Sequence, residues 1–229
     1  MKKSILDFCR KDEDLPDESI IGQSTSKNIN KSRHCYHVIT QSWAKDNIFY
    51  ADVARYRQNL MCQLCTKVGI VIVFSATNPN HTHEVFITPG WNVLSAMFKS
   101  LNTNVSKYIR AHYENKARKG RRILAACPTY IPVENIVHFF YLGKYIYDNP
   151  QYLIKEGKQI PDSCFWMFEK NYFPEPYKAD IYQKLFGMSP ADLYSIYKNK
   201  TSAEVRLLSK QLFGDWTAED NRRLFVRNR

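Results

Sequence analysis

Two histidines separated by a single residue, His81 and His83, lie in the stretch Pro79-Asn80-His81-Thr82-His83-Glu84-Val85-Phe86-Ile87. Successive side chains of a β-strand point to opposite faces, so both imidazoles project from one side and Thr82 from the other. Such a pair can hold a divalent cation and leave coordination positions open. A third ligand from elsewhere would complete a site that polarises a substrate oxygen. By spacing alone an ordinary surface pair is the better reading, and the rest of the chain reverses it.

The second group of interest lies in Val133-Glu134-Asn135-Ile136-Val137-His138-Phe139-Phe140-Tyr141-Leu142-Gly143-Lys144-Tyr145-Ile146-Tyr147-Asp148-Asn149, which reads as a helix running up to Pro150. A proline disfavours helical conformation in the residue before it. Tyr145 and Asn149 are one turn apart on one face, which Tyr141 and His138 continue. An amide oxygen there can serve as a third cation ligand, and the phenol beside it can attack whatever the cation polarises. Without the histidine pair, Tyr141 and Tyr145 would read as core tyrosines.

The elements that must position these groups follow from pattern. His34 to Gln41 is β-branched and aromatic and makes a first strand, on which His37 reads as a packing residue. Asp52 to Lys67 has helical spacing and stops at Gly69. Ile70-Val71-Ile72-Val73-Phe74 is a short apolar run suited to a central strand. Asn78-Pro79-Asn80 turns the chain into the histidine strand, which Pro89-Gly90 ends. Trp91 to about Lys116 reads as one long helix, and Ile123 to Ile131 as a strand near an edge, because Pro128 cannot donate to a ladder.

Composition narrows the partner. The 229 residues carry a net charge of +11, with 44% hydrophobic residues, enough for a real core. A strongly basic chain suits a polyanion, most often nucleic acid. Fifteen Tyr, thirteen Phe and four Trp add faces on which unpaired bases can stack, although aromatics are core residues first. Between Lys99 and Arg122 eight basic residues face one acid, Glu114. Lys107, Arg110, Lys116, Arg118, Lys119, Arg121 and Arg122 are the candidate phosphate contacts there. No stretch is apolar enough to span a bilayer, and the chain turns acidic at Asp7 before any signal-peptide core develops, so a cytoplasmic protein with no membrane partner is expected. The six cysteines are dispersed and read as reduced thiols; Cys62-Gln63-Leu64-Cys65 lacks a second pair at zinc spacing and falls within a helix.

Together, Pro79-Asn80-His81-Thr82-His83 and Lys144-Tyr145-Ile146-Tyr147-Asp148-Asn149-Pro150 resemble the single-tyrosine HUH transposases, most closely the REP-associated tyrosine transposases. Tyr36-His37-Val38-Ile39-Thr40-Gln41 looks like the opening strand of that family. The resemblance covers about residues 34–160 and implies an α+β fold, a ferredoxin-like or RRM-like antiparallel sheet with helices on one face. It further implies that His81, His83 and Asn149 hold Mg²⁺ or Mn²⁺. Tyr145 would be the nucleophile that attacks single-stranded DNA, leaving a 5′-phosphotyrosine link and a free 3′-hydroxyl. Hairpin-bearing DNA is the implied partner, and the protein would act as a monomer or homodimer.

The chain also departs from that family. Thr82 stands where a larger apolar residue is usual, and Ile123-Leu124-Ala125 lacks the Trp and Arg often found near that position. Tyr141 and Tyr145 are also spaced like the paired nucleophiles of two-tyrosine relatives; the run into Asn149-Pro150 favours Tyr145. Residues 1–33 read as a flexible arm and 161–229 as a helical extension, with helices at 180–186 and starting near Ser189, Ser202 and Thr217. The extension suits either a helix-turn-helix-like DNA reader or a plain cover for the sheet. Two other functions stay open: a nucleic-acid-binding module on the same fold with no chemistry, and a plasmid or phage replication initiator.

Overall fold

The computed structural model describes residues 35–113, 122–125, 127–133, 136–155 and 162–214, with side chains described only to 150 in the fourth span. The basic run Lys116, Arg118, Lys119 and Arg121, the N-terminal arm and the helix expected from Thr217 lie outside the described residues.

The chain builds β1 (Cys35–Gln41), a short 3-10 turn (Trp43–Lys45), α1 (Ala51–Val68), β2 (Val71–Thr77), β3 (His81–Ile87), α2 (Trp91–His112) and β4 (Thr129–Pro132). α3 (Ile136–Lys155) and β5 (Asp162–Ser163) come next, followed by α4 (Phe165–Lys170), α5 (Asp180–Phe186), α6 (Pro190–Asn199) and α7 (Ser202–Phe213). The sheet order is β4-β1-β3-β2-β5, antiparallel throughout. Its first four strands follow the split β-α-β pattern of ferredoxin-like folds, the class expected from the resemblance. β1 pairs with β3 in a register that sets Ile39 opposite His83 and Gln41 opposite His81.

Alternation divides the sheet into two chemically different faces. Val38, Thr40, Glu84 and Phe86 point toward α1 and α2, where Phe98 of α2 meets Phe86 and Arg57 of α1 meets Glu84 at 2.6 Å. His37, His83, Val85 and Phe74 point the other way, toward α3. Phe74 lies within 5.9–6.5 Å of the rings of Phe139, Phe165, Phe168, Tyr182, Phe186 and Tyr197, so the C-terminal helices close over this half of the face.

Local chemistry explains several element ends. Gly69 adopts the left-handed conformation (φ 71°) that stops α1. Ser189 caps α6 with Pro190 at its first position, and Thr201 with Glu204 forms a capping box on α7. Two expectations need correction. α3 runs through Pro150 to Lys155 instead of ending at Asn149, because packing against the sheet and α7 outweighs the roughly 3 kcal/mol that an interior proline costs. The strand expected over 123–131 is interrupted: Leu124 makes an isolated bridge to Ser42, and the ladder resumes at Thr129, after Pro128, which has no N–H to offer. β5 and α4 are additions to the expected elements, because neither carries a strong periodic signal.

Candidate active site and nucleic-acid interface

β3 carries His81 and His83 on the face that α3 covers, and α3 brings Tyr145 and Asn149 down onto them. The ring centroids of His83 and Tyr145 are 5.3 Å apart at 86°, and those of His81 and His83 are 4.9 Å apart. Asn149 Nδ2 lies 3.1 Å from His83 Nε2, and Asn149 Oδ1 accepts from Asn78 Nδ2 at 2.8 Å. The same Asn78 nitrogen lies 3.0 Å from His81 Nε2. All four residues singled out from sequence therefore meet in one place, from two elements far apart in the chain.

Hydrogen bonding defines which ring atoms face that place. Asn80 Oδ1, which can only accept, lies 2.6 Å from His81 Nδ1, so His81 carries its proton there and presents a bare Nε2. His83 also turns Nε2 toward the amides. The two imidazole lone pairs are thus capped by the N–H groups of Asn78 and Asn149, donors standing where a cation would bind. Asn78 is buried, and its own Oδ1 has no hydrogen-bond partner among the described residues. Two bare imidazole nitrogens, the Asn149 amide oxygen and the orphaned Asn78 oxygen form a donor set suited to a divalent cation. Among the described residues there is no cluster of three His, Cys, Asp or Glu able to hold a metal. Burial holds His81 below its ordinary pKa, an interaction with Asn149 opposing it, which favours the neutral ligand form.

Sequence reasoning missed three residues here. His37 on β1, read as packing, lies with Nε2 3.0 Å from His83 Nδ1, and burial, then the nearby His138, pushes its pKa down to about 3. Asn78 and Asn80, read only as turn formers, hold the ring and amide orientations. Strand register would have found His37, because it is a diagonal neighbour of His83 on one face once β1 is paired with β3. Tyr141 sits a turn above Tyr145, half-buried, and faces Arg206 and Ser202 of α7.

The helix that carries Tyr145 is gripped from behind. Lys144, almost fully buried, donates to Asp148 Oδ1 at 2.7 Å and to the carbonyl of Tyr197 at 2.8 Å. Ser202 donates to Asp148 Oδ2 at 2.6 Å, and Tyr197 donates to the carbonyl of Phe140 at 2.8 Å. A Cβ on Gly143 would stand 2.3 Å from the Tyr197 hydroxyl oxygen, so the backbone of α3 touches α6 there.

The described candidate phosphate contacts gather on the opposite side of the sheet. Lys107, Arg110 and Arg122, three of the candidate phosphate contacts, line one groove of about 910 Å³ between α2 and the segment 122–130. Lys99, Trp91 and Tyr130 share it, with Trp91 43% exposed. Arg122 also stacks over Trp43 at 5.4 Å beside Ile123, so a Trp and Arg pair forms here from residues distant in sequence. Cys65 lies buried within α1 and Cys62 beside it is part-buried; no disulfide joins the described cysteines. Burial pushes the Cys65 thiol well up, which suits packing and not reactivity.

Residues 30–124 match the model of the family described as Transposase IS200 like. The match takes in His81 and His83 and ends before the helix that carries Tyr145. A solved REP-associated tyrosine transposase bound to a REP hairpin is similar at 13% identity and a TM-score of 0.48, covering 65% of this chain and 87% of that one. A transposase structure from Deinococcus radiodurans is similar at 13% identity and a TM-score of 0.38, covering 54% and 90%. No curated protein matches. Among the described residues no helix is long and apolar enough to cross a membrane.

Proposed function

We propose that this IS200-like chain is a metal-dependent single-stranded DNA endonuclease and strand transferase, cleaving hairpin or repeat DNA in the cytoplasm through a 5′-phosphotyrosine link on Tyr145. The convergence of Tyr145, Asn149, His81 and His83 within one chain carries this reading. His81 and His83 through Nε2, and Asn149 through Oδ1, would hold Mg²⁺ or Mn²⁺, with the flanking arm 1–33, core 34–160 and extension 161–229 as its parts. Such an ion, when bound, neutralises charge on the non-bridging phosphate oxygens and eases departure of the 3′-oxygen.

The residues of the chain supply the nucleophile and its alignment. Tyr145 Oη forms a bond to phosphorus as the bond from phosphorus to the 3′-oxygen breaks in line; the phenolic proton leaves and the 3′-oxygen departs as a hydroxyl. An ordinary phenol has a pKa of about 10, so proton loss must accompany attack. The phosphotyrosine keeps the energy of the broken ester, so a new 3′-hydroxyl can reverse the step and join strands. The packing of α3 over its own chain's histidines supports a site that works within a monomer, and a homodimer that exchanges the helix is the other arrangement this reading allows.

The groove carrying Lys107, Arg110 and Arg122 supports DNA as the substrate, with Arg and Lys on phosphates and exposed rings for unpaired bases. Its place across the sheet from Tyr145 also favours a second reading, a module that binds DNA without cutting it. A nicking assay separates the two. Single-stranded oligonucleotides from the flanking DNA, incubated with Mn²⁺, should yield a product with a free 3′-hydroxyl, abolished by chelator and by Tyr145→Phe. Binding with no product from either strand would leave only the module.

A further inference from the structure

We propose that His37 is a positioning residue that keeps the proton of His83 on Nδ1 and so aims the Nε2 lone pair of His83 at the amide pair of Asn78 and Asn149 that His81 Nε2 also faces. Its consequence for cation binding rests on the function proposed above, whereas its hydrogen-bond geometry does not.

The amides fix the direction of every bond. Asn149 Oδ1 already accepts from Asn78, so the other end of that amide, Nδ2, donates to His83 Nε2. A neutral imidazole whose Nε2 accepts must carry its proton on Nδ1. That Nδ1 lies 3.0 Å from His37 Nε2, the two rings stacking at 25°, so His83 donates to His37. His37 is 4% exposed and His83 3%, which leaves no room for water to take over the role. Asn80 Oδ1 does the same for His81 from the opposite flank. Two unrelated partners thus give the same outcome, a bare Nε2 on each ring directed at the bonded amide pair of Asn78 and Asn149.

Partners of this kind matter because a ligand histidine with the wrong tautomer offers an N–H where a lone pair is needed. Their loss typically weakens metal binding by about 10–100-fold. Removing the acceptor at position 37 leaves an Nδ1 proton buried without His37 to take it, so the His83 proton moves to Nε2 as the Asn149 amide turns its Oδ1 to accept it, closing the site. Glutamine at that position restores an acceptor, since its Oε1 reaches about as far as an imidazole Nε2.

The test uses the full metal-free chain with ¹⁵N-labelled histidine, comparing wild type with His37→Leu and His37→Gln. Imidazole nitrogen shifts should report Nδ1–H for His83 in wild type and in His37→Gln, and a mixture or Nε2–H in His37→Leu. Mn²⁺ titration should then show about 10–100-fold weaker binding in His37→Leu, recovered to within a few-fold in His37→Gln. An unchanged His83 tautomer in His37→Leu overturns the proposal. So does equal weakening in both variants with matching losses of thermal stability, which marks His37 as packing. Failure of the wild type to take up Mn²⁺ refutes the cation reading instead, and the tautomer comparison still decides the role of His37.

Discussion

Buried polarity at single residues makes this sheet sensitive to changes of one charge. Glu84 follows His83 on β3 but points to the other face, where Arg57 meets it with both side chains 1% exposed. Glu84→Gln should cost about 3–5 kcal/mol in denaturant unfolding, because it strands the guanidinium in the interior. His37 gives a pH signature. Its folded pKa of about 3 lies below the ordinary 6.5, so the unfolded state binds the extra proton. Stability is therefore complete above about pH 6.5 and is lost as pH falls from there toward 3, by about 1.4 kcal/mol per pH unit. Urea melts of the metal-free protein across that range should show the fall, with a shallower slope in His37→Leu.

At the scale of elements, α3 is the piece whose placement decides function. It lies between the histidine strand and the α6–α7 pair, bonded through Lys144, Asp148, Ser202 and Tyr197. Gly143→Ala should push α3 away from Tyr197 and Phe74, costing about 1–3 kcal/mol as an overpacked core site. DNA cleavage should fall more steeply than the change in folded population, since Tyr145 rides on the displaced helix; thermal melts and single-turnover nicking on the same samples would compare them. The same packing explains what is legible in the sequence. The histidine strand, α1 and the face shared by Tyr145 and Asn149 are readable because alternation and helical period are local. The run of α3 through Pro150 is not, because the packing that tolerates the proline comes from residues 193–205, far along the chain. His37 escapes for the same reason: its meaning depends on which strand lies beside β1.

On the proposed function, the whole molecule separates chemistry from grip. The histidines and Tyr145 occupy one face of the sheet, and the groove of Lys107, Arg110 and Arg122 lies against α2 on the other. DNA bound to both must pass around a sheet edge, and β4, four residues long, is the edge beside the groove. Replacing Lys107, Arg110 or Arg122 with alanine should weaken binding of single strands and lower the salt slope of log K by about 0.7 for each phosphate no longer neutralised. Fluorescence anisotropy over a salt series would measure it. The Tyr145→Phe protein should keep the wild-type slope, since its cations are intact.

The central claim is that Tyr145, and not its neighbour Tyr141, becomes joined to DNA. Protein incubated with flanking single-stranded DNA and Mn²⁺, then denatured, digested and examined by mass spectrometry, reports the attachment directly. We predict a nucleotide-bearing peptide with the modification on Tyr145, absent from Tyr145→Phe and from chelated samples. A modification on Tyr141 that survives in Tyr145→Phe would contradict the assignment of the nucleophile, and no adduct despite bound metal and DNA would contradict the chemistry itself.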